Sequence, residues 1–135
     1  MKVTDLARKL SITPDSVRYY TRIGLLNPRK NHTNGYRDYG QRDQLRLNFI
    51  LSARQLGFSI DDIEQIIGIA NQGETPCPFV RELIAQRLAE TEEKFNSLVK
   101  LREQMSLALT QWKEEPNKEP TADMICHLIE NLEHG

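Results

Sequence analysis

Hydrophobic and polar residues alternate along this chain with a helical period, broken by a few turn-rich stretches. Val3, Leu6, Ala7 and Leu10 share one helical face, and Ser11-Ile12 leaves room only for a tight connection. Thr13 then offers a cap, Pro14 suits a first helical position, and Asp15 lies in the first turn, where the helix dipole favours an acid. Two short helices joined so briefly predict a helix-turn-helix. The polar stretch that follows ends in Asn34-Gly35-Tyr36-Arg37, and Asn-Gly is a strong hairpin signal, so a wing is expected there.

A third helix is predicted over Gln41 to Leu56, with Leu45, Phe49, Ala53 and Leu56 near one stripe, thickened by Leu47, Ile50 and Leu51. Gly57 ends it. Ser59 caps a fourth helix whose buried face is Ile60, Ile63, Ile66, Ile67 and Ile69, and residues 71–76 break the chain. Between Pro78 and Trp112 no glycine or proline intervenes, which predicts roughly 50 Å of continuous helix. Ile84, Thr91, Leu98, Met105 and Trp112 recur every seven residues, flanked by Leu88, Phe95 and Leu109, with Leu101 and Ala108 completing the seam. Such a stripe needs a cover. Folding back on the same domain is one solution, but the preceding helices are too short for it, so pairing with a second copy is favoured. A polar loop follows from Lys113 to Pro120, and helical spacing returns over Thr121 to Glu133.

These elements give a mainly α fold. A winged helix-turn-helix DNA-binding domain with its connecting helices is expected over 1–71, a hinge and dimerisation helix over 72–112, and a loop with a C-terminal helix over 113–135. Charge follows the same partition. Up to Phe58 there are 11 Lys+Arg against 4 Asp+Glu, a net of +7; from Ser59 onward there are 7 against 15, a net of −8. A basic unit gains free energy on DNA by releasing condensed counterions, whereas the acidic remainder has no such use for phosphate. No segment has the ~20 apolar residues of a membrane span or the apolar core of a signal peptide, so a cytoplasmic protein without a membrane partner is expected. No nucleophile with its base, Gly-rich phosphate loop or paired-carboxylate site is visible, which argues against an enzyme.

The run Thr13 to Phe58 resembles the MerR family of bacterial transcription regulators. The resemblance rests on VRYY at 17–20, GLL at 24–26, NGYRDY at 34–39 and ARQLGFS at 53–59, and extends to the long helix and the CP pair at 77 and 78. It implies a winged-helix domain, a long antiparallel coiled-coil homodimer and a short effector loop at the end of the coil. Arg18 and Tyr20 are thereby assigned to the recognition helix, Tyr36 and Arg37 to the wing, and Arg54 to DNA-backbone contact. Guanidinium groups suit phosphate or guanine, and tyrosine hydroxyls anchor phosphates. Tyr19 is expected in the core, since adjacent helical residues cannot both face DNA, and Tyr39 at the end of the wing is expected there too. The implied partners are double-stranded promoter DNA and RNA polymerase at that promoter, the regulator distorting the DNA when its effector binds.

In metal-sensing members, a cysteine at the start of the dimer helix meets effector-loop cysteines of the other subunit. Cys77 matches the first and Cys126 the last; Trp112 stands where a middle cysteine is missing, and His127 is placed to replace it. Two thiolates and an imidazole, completed by water or by one of Glu114, Glu115, Glu119 and Asp123, suit zinc, cadmium or cobalt. Strictly two-coordinate sulfur binding would suit copper(I) or gold(I). The alternative metal-free reading makes Cys77 a packed residue and His127 a solvated one. A thiol or redox regulator of the same fold would instead join Cys77 to Cys126 as a disulfide. His32 in the wing and His134 are expected to face solvent or phosphate.

Overall fold

The structure, a computed structural model, describes residues 1–132, so His134 and the end of the helix expected to reach Glu133 lie outside the described residues. In chain order the elements are α1 (Val3–Lys9), α2 (Pro14–Arg22), β1 (Arg29–Lys30), β2 (Arg37–Asp38), α3 (Gln41–Gln55), α4 (Ile60–Asn71), α5 (Cys77–Trp112) and α6 (His127–Glu130). They group into two compact units that divide within α5, the first comprising Met1–Arg87 and the second beginning at Leu88.

In the first unit, α1 packs on α2 and α3 on α4. Leu6, Val17, Leu47, Ile50 and Ile63 are fully buried in a single core that Leu83, near the start of α5, also joins. The helix-turn-helix turn passes through Ser11 in the left-handed region at φ 57°. As expected, the Thr13 hydroxyl caps α2 by accepting from the Ser16 N–H at 3.1 Å. Strands β1 and β2 pair antiparallel, with Lys30 opposite Arg37, and Gly35 adopts φ 74° in the turn between them. Tyr39 is buried, its hydroxyl 2.8 Å from that of Thr21, so the end of the wing is fastened to α2.

Helix α3 differs from the expected stripe. Leu47, Ile50 and Ala53 face the core, while Leu45, Phe49 and Leu56 are exposed. The helix carries apolar residues around most of its circumference, so periodicity alone did not select the buried side. In α4 the Ser59 cap is reciprocal. Its hydroxyl accepts from the Asp62 N–H at 3.1 Å, and the Asp62 carboxylate accepts from the Ser59 N–H at 2.9 Å.

In the second unit, α5 leaves Phe95, Leu98, Leu101, Met105 and Leu109 exposed, and Ala108 is buried. The C-terminal helix is shorter than its spacing suggested. Residues 121–126 form a loop, closed by the Thr121 N–H donating to the Met124 carbonyl, and helix begins only at His127. Local bonds to Thr121 and Glu130 satisfy this backbone in place of helical ones.

Candidate functional site

The exposed side of α2 consists of Asp15, Arg18, Tyr19 and Arg22, spaced as one helical face, and Val17 and Tyr20 are buried behind it. This corrects the expected placement of the two tyrosines. Tyr20 is 9% exposed and belongs to the core, whereas Tyr19 is 40% exposed. Val17 and Tyr20, three residues apart, project to the same side, so once Val17 is buried Tyr20 goes with it. The rings meet edge-on, centroids 5.3 Å apart, and the Arg22 guanidinium lies over the Tyr19 ring at 5.5 Å. Arg18 forms an exposed ion pair with Asp15 at 2.9 Å. Such a pair is worth little in water, so Arg18 can be released to a phosphate or base at small cost.

The wing presents Tyr36 and Arg37 in the open. Its tip is shaped by its own side chains. Asn31 accepts from the Thr33 N–H at 2.8 Å and Asn34 from the Tyr36 N–H at 3.0 Å. The wing and α2 enclose a groove of about 540 Å³ lined by Arg18, Gly35, Tyr36, Arg37, Lys2 and Thr4, among others. Three cations thus converge on one concave surface. Lys2 and Thr4 escaped the sequence reading because α1 looked like packing scaffold and only the folded chain brings its start beside the wing. Arg54 is not among the groove's lining residues. Its guanidinium donates to the Phe58 carbonyl at 3.1 Å and closes the α3–α4 connection. His32 is exposed on the wing, as expected.

The cysteines are both free. Cys77 is the first residue of α5 and exposed, and its N–H donates to the Thr75 hydroxyl at 3.3 Å. Cys126, half-buried in the second unit, is held by its backbone, the N–H donating to the Glu130 carboxylate at 2.8 Å. His127 is not a solvated residue. It is 5% exposed, and its Nε2 lies 2.9 Å from the Pro116 carbonyl. A carbonyl only accepts, so Nε2 carries the proton and only Nδ1 is left to coordinate a metal. A small pocket of about 80 Å³ beside it is lined by Gln111, Trp112, Glu115, Leu128 and Asn131. Glu114, Glu119 and Asp123 are exposed. Among the described residues no three His, Cys, Asp or Glu side chains gather into a group able to hold a metal ion.

A further feature had no sequence signal. Asp62, 4% exposed, receives Arg87 from α5 through two bonds, Nε to one carboxylate oxygen at 3.0 Å and a terminal nitrogen to the other at 2.7 Å. The Arg87 bond holds the Asp62 carboxyl at about 2, below its ordinary 3.8, against burial, which pushes upward; bonds from Ser59 assist.

A helix-turn-helix with a basic wing and a cationic groove defines a DNA-binding regulator. Comparison with known sequences makes the assignment specific: the profile described as MerR HTH family regulatory protein matches residues 1–68, and that described as MerR, DNA binding matches residues 45–107. The chain belongs to the MerR family. It is 30% identical to the HTH-type transcriptional regulator CueR of Salmonella typhimurium, over 98% of this chain and 91% of that protein. It is 31% identical to a probable heavy metal-dependent transcriptional regulator of Haemophilus influenzae, over 75% and 79% of the two chains. The fold is similar to that of the transcription regulator PbrR691 from Ralstonia metallidurans, solved in complex with lead(II), with TM-score 0.73, 22% identity and 98% and 99% coverage. No helix among the described residues is long and apolar enough to cross a membrane.

Proposed function

We propose that this chain is a homodimeric regulator that holds promoter DNA through α2 and the wing and distorts it for RNA polymerase when a soft or borderline metal ion binds at Cys77 and Cys126. The observation that carries this reading is the position of the two thiols relative to α5. Cys77 opens the helix, Cys126 follows its end, and the exposed apolar residues lie between. Antiparallel pairing of two copies along that seam sets the start of one α5 beside the end of the other, so each site takes one thiolate from each copy. Arg18, Tyr36 and Arg37 act at the DNA, joined by Lys2 and by Tyr19 in place of Tyr20; Arg54 supports them from the α3–α4 connection.

Two thiolates suit zinc, cadmium, cobalt or copper(I), with Nδ1 of His127 or a loop carboxylate completing a higher coordination number. Held by Cys77 of one copy and Cys126 of the other, the ion would supply a cross-link that favours the dimer arrangement in which the two thiolates meet. Deforming the DNA costs on the order of 1–6 kcal/mol, and preferential binding of the ion to the deforming state contributes typically about 1–3 kcal/mol of coupling.

Serine substitution tests the assignment. Cys77→Ser and Cys126→Ser each leave apo operator binding intact and abolish metal-dependent transcription. A heterodimer of the two variants has one site without cysteines and one complete site, so it regains about half the wild-type stoichiometry of tight metal in competition with a chromophoric chelator. Absence of that restored site overturns the shared-site reading. Wild-type activation by both single variants overturns cysteine sensing, and activation that follows oxidant and ignores metal assigns the pair to disulfide chemistry.

A further inference from the structure

Four apolar side chains, Phe79, Val80, Leu83 and Ile84, attach the first turns of α5 to the core of the first unit. Apolar contact is non-directional, and by itself it lets one helix slide or roll on another. The Asp62–Arg87 pair is different. It joins the first turn of α4 to Arg87, the last α5 residue of the first unit, through a two-pronged fork of 3.0 and 2.7 Å. The same carboxylate receives the Ser59 N–H, so its own orientation is fixed by the α4 cap. A guanidinium fork on a fixed carboxylate sets both rotation and register, the best-attested use of a buried ion pair.

We propose that Asp62 and Arg87 are positioning residues that fix the direction in which α5 leaves the DNA-binding unit, and thereby the separation of the two half-sites that the dimer accepts. This rests on the dimeric part of the reading above and is independent of the metal. In a dimer joined through α5, the distance between two recognition helices is set by the angle at this joint in each copy, and that distance must match the spacing of half-sites along the duplex. With the fork intact, DNA of the wrong spacing has to be deformed to fit. With it removed, the apolar contacts let α5 adjust and the protein takes up the mismatch.

The test uses full-length protein without metal and a palindromic duplex selected against the wild-type dimer from a randomised library. The duplex is then resynthesised with its spacer one base pair shorter or longer. Arg87→Lys keeps the charge and loses the fork; Arg87→Met keeps only the stem. In anisotropy titrations, both variants bind the best duplex near wild-type affinity, while the preference for it over the altered spacers falls by at least about fivefold, the lower end of typical site-to-site coupling. Helicity and sedimentation are measured on the same samples. Folded, dimeric variants with a spacer preference superimposable on wild type overturn the proposal, as does a wild-type dimer indifferent to spacing. Where Arg87→Met fails to fold, Arg87→Lys decides, and failure of both to fold makes the pair a requirement of folding, which also overturns it. A monomeric wild type contradicts the dimer instead, so the two failures are distinguishable.

Discussion

Asp62 shows how much one carboxylate can do when three donors from two residues hold it. It completes the cap of α4 through Ser59 and holds Arg87 with both oxygens, and it is buried. Its folded pKa of about 2 lies below the ordinary 3.8, so the ionised form is the one that folding favours. A depressed carboxyl contributes stability that is fully present above its ordinary pKa and disappears as pH falls through the folded value. The size of the shift corresponds to about 2 kcal/mol. Denaturant unfolding at fixed protein concentration is therefore expected to show Asp62→Asn less stable than wild type by about that amount or more between pH 5 and 7, with the gap narrowing between about pH 4 and 2. A gap independent of pH means that the charge is not what stabilises. Nothing local in the sequence announces this pair, because the partner of Asp62 is 25 residues away. The exposed placement of Arg18 on α2 and of Tyr36 and Arg37 on the wing, by contrast, is legible in the sequence, because cap, turn and basic residues cluster in one short stretch. The tyrosine pair lies the opposite way to the expectation, and the signal that separates the two is Val17, whose burial takes Tyr20 with it at a spacing of three.

At the scale of elements, the signals that identified helices were caps and breakers, and these succeeded at Thr13, Ser59, Gly57 and the start of α5. Orientation was less legible. α3 is apolar on two sides, and the C-terminal segment has helical spacing but satisfies its backbone through loop bonds before His127. The wing was legible because its turn chemistry is strict. Gly35 at φ 74° has no atom within 4 Å of where a Cβ would lie, so a side chain there meets no steric obstacle and only the backbone resists. Gly35→Ala is expected to cost roughly 1–2 kcal/mol locally for holding an L-residue in the left-handed region. Because β1 and β2 contribute little to the core, the thermal midpoint of the protein stays near wild type while operator affinity falls. Gly35→Asn, which tolerates that conformation, restores most of the affinity. Equal affinity for the alanine variant and wild type would show that the wing does not hold DNA.

For the molecule as a whole, the sharpest division is between a basic N-terminal part that has its own core, which the first turns of α5 join, and the rest of that long helix, whose large apolar residues are mostly exposed. Leu98 is 62% exposed, and Phe95, Leu101, Met105 and Leu109 are exposed with it, a contiguous apolar surface of the kind that marks an interface. The seven-residue recurrence already pointed there, because a spacing of seven keeps residues on one side of a helix over many turns. Leu107 provides an internal control. It is as exposed as Leu98, yet nine residues further along the helix it lies on the opposite side of α5. Leu98→Glu is expected to leave the first unit folded and convert the protein to monomers in sedimentation velocity, since a charge at the seam is buried in both copies at once. Each monomer then holds one half-site, and operator affinity falls by about 100-fold or more as the linked second contact is lost. Leu107→Glu remains dimeric with unchanged operator affinity. Monomers from Leu107→Glu and dimers from Leu98→Glu would place the interface on the other side of α5, and would remove the basis for the proposed sharing of Cys77 and Cys126 between copies.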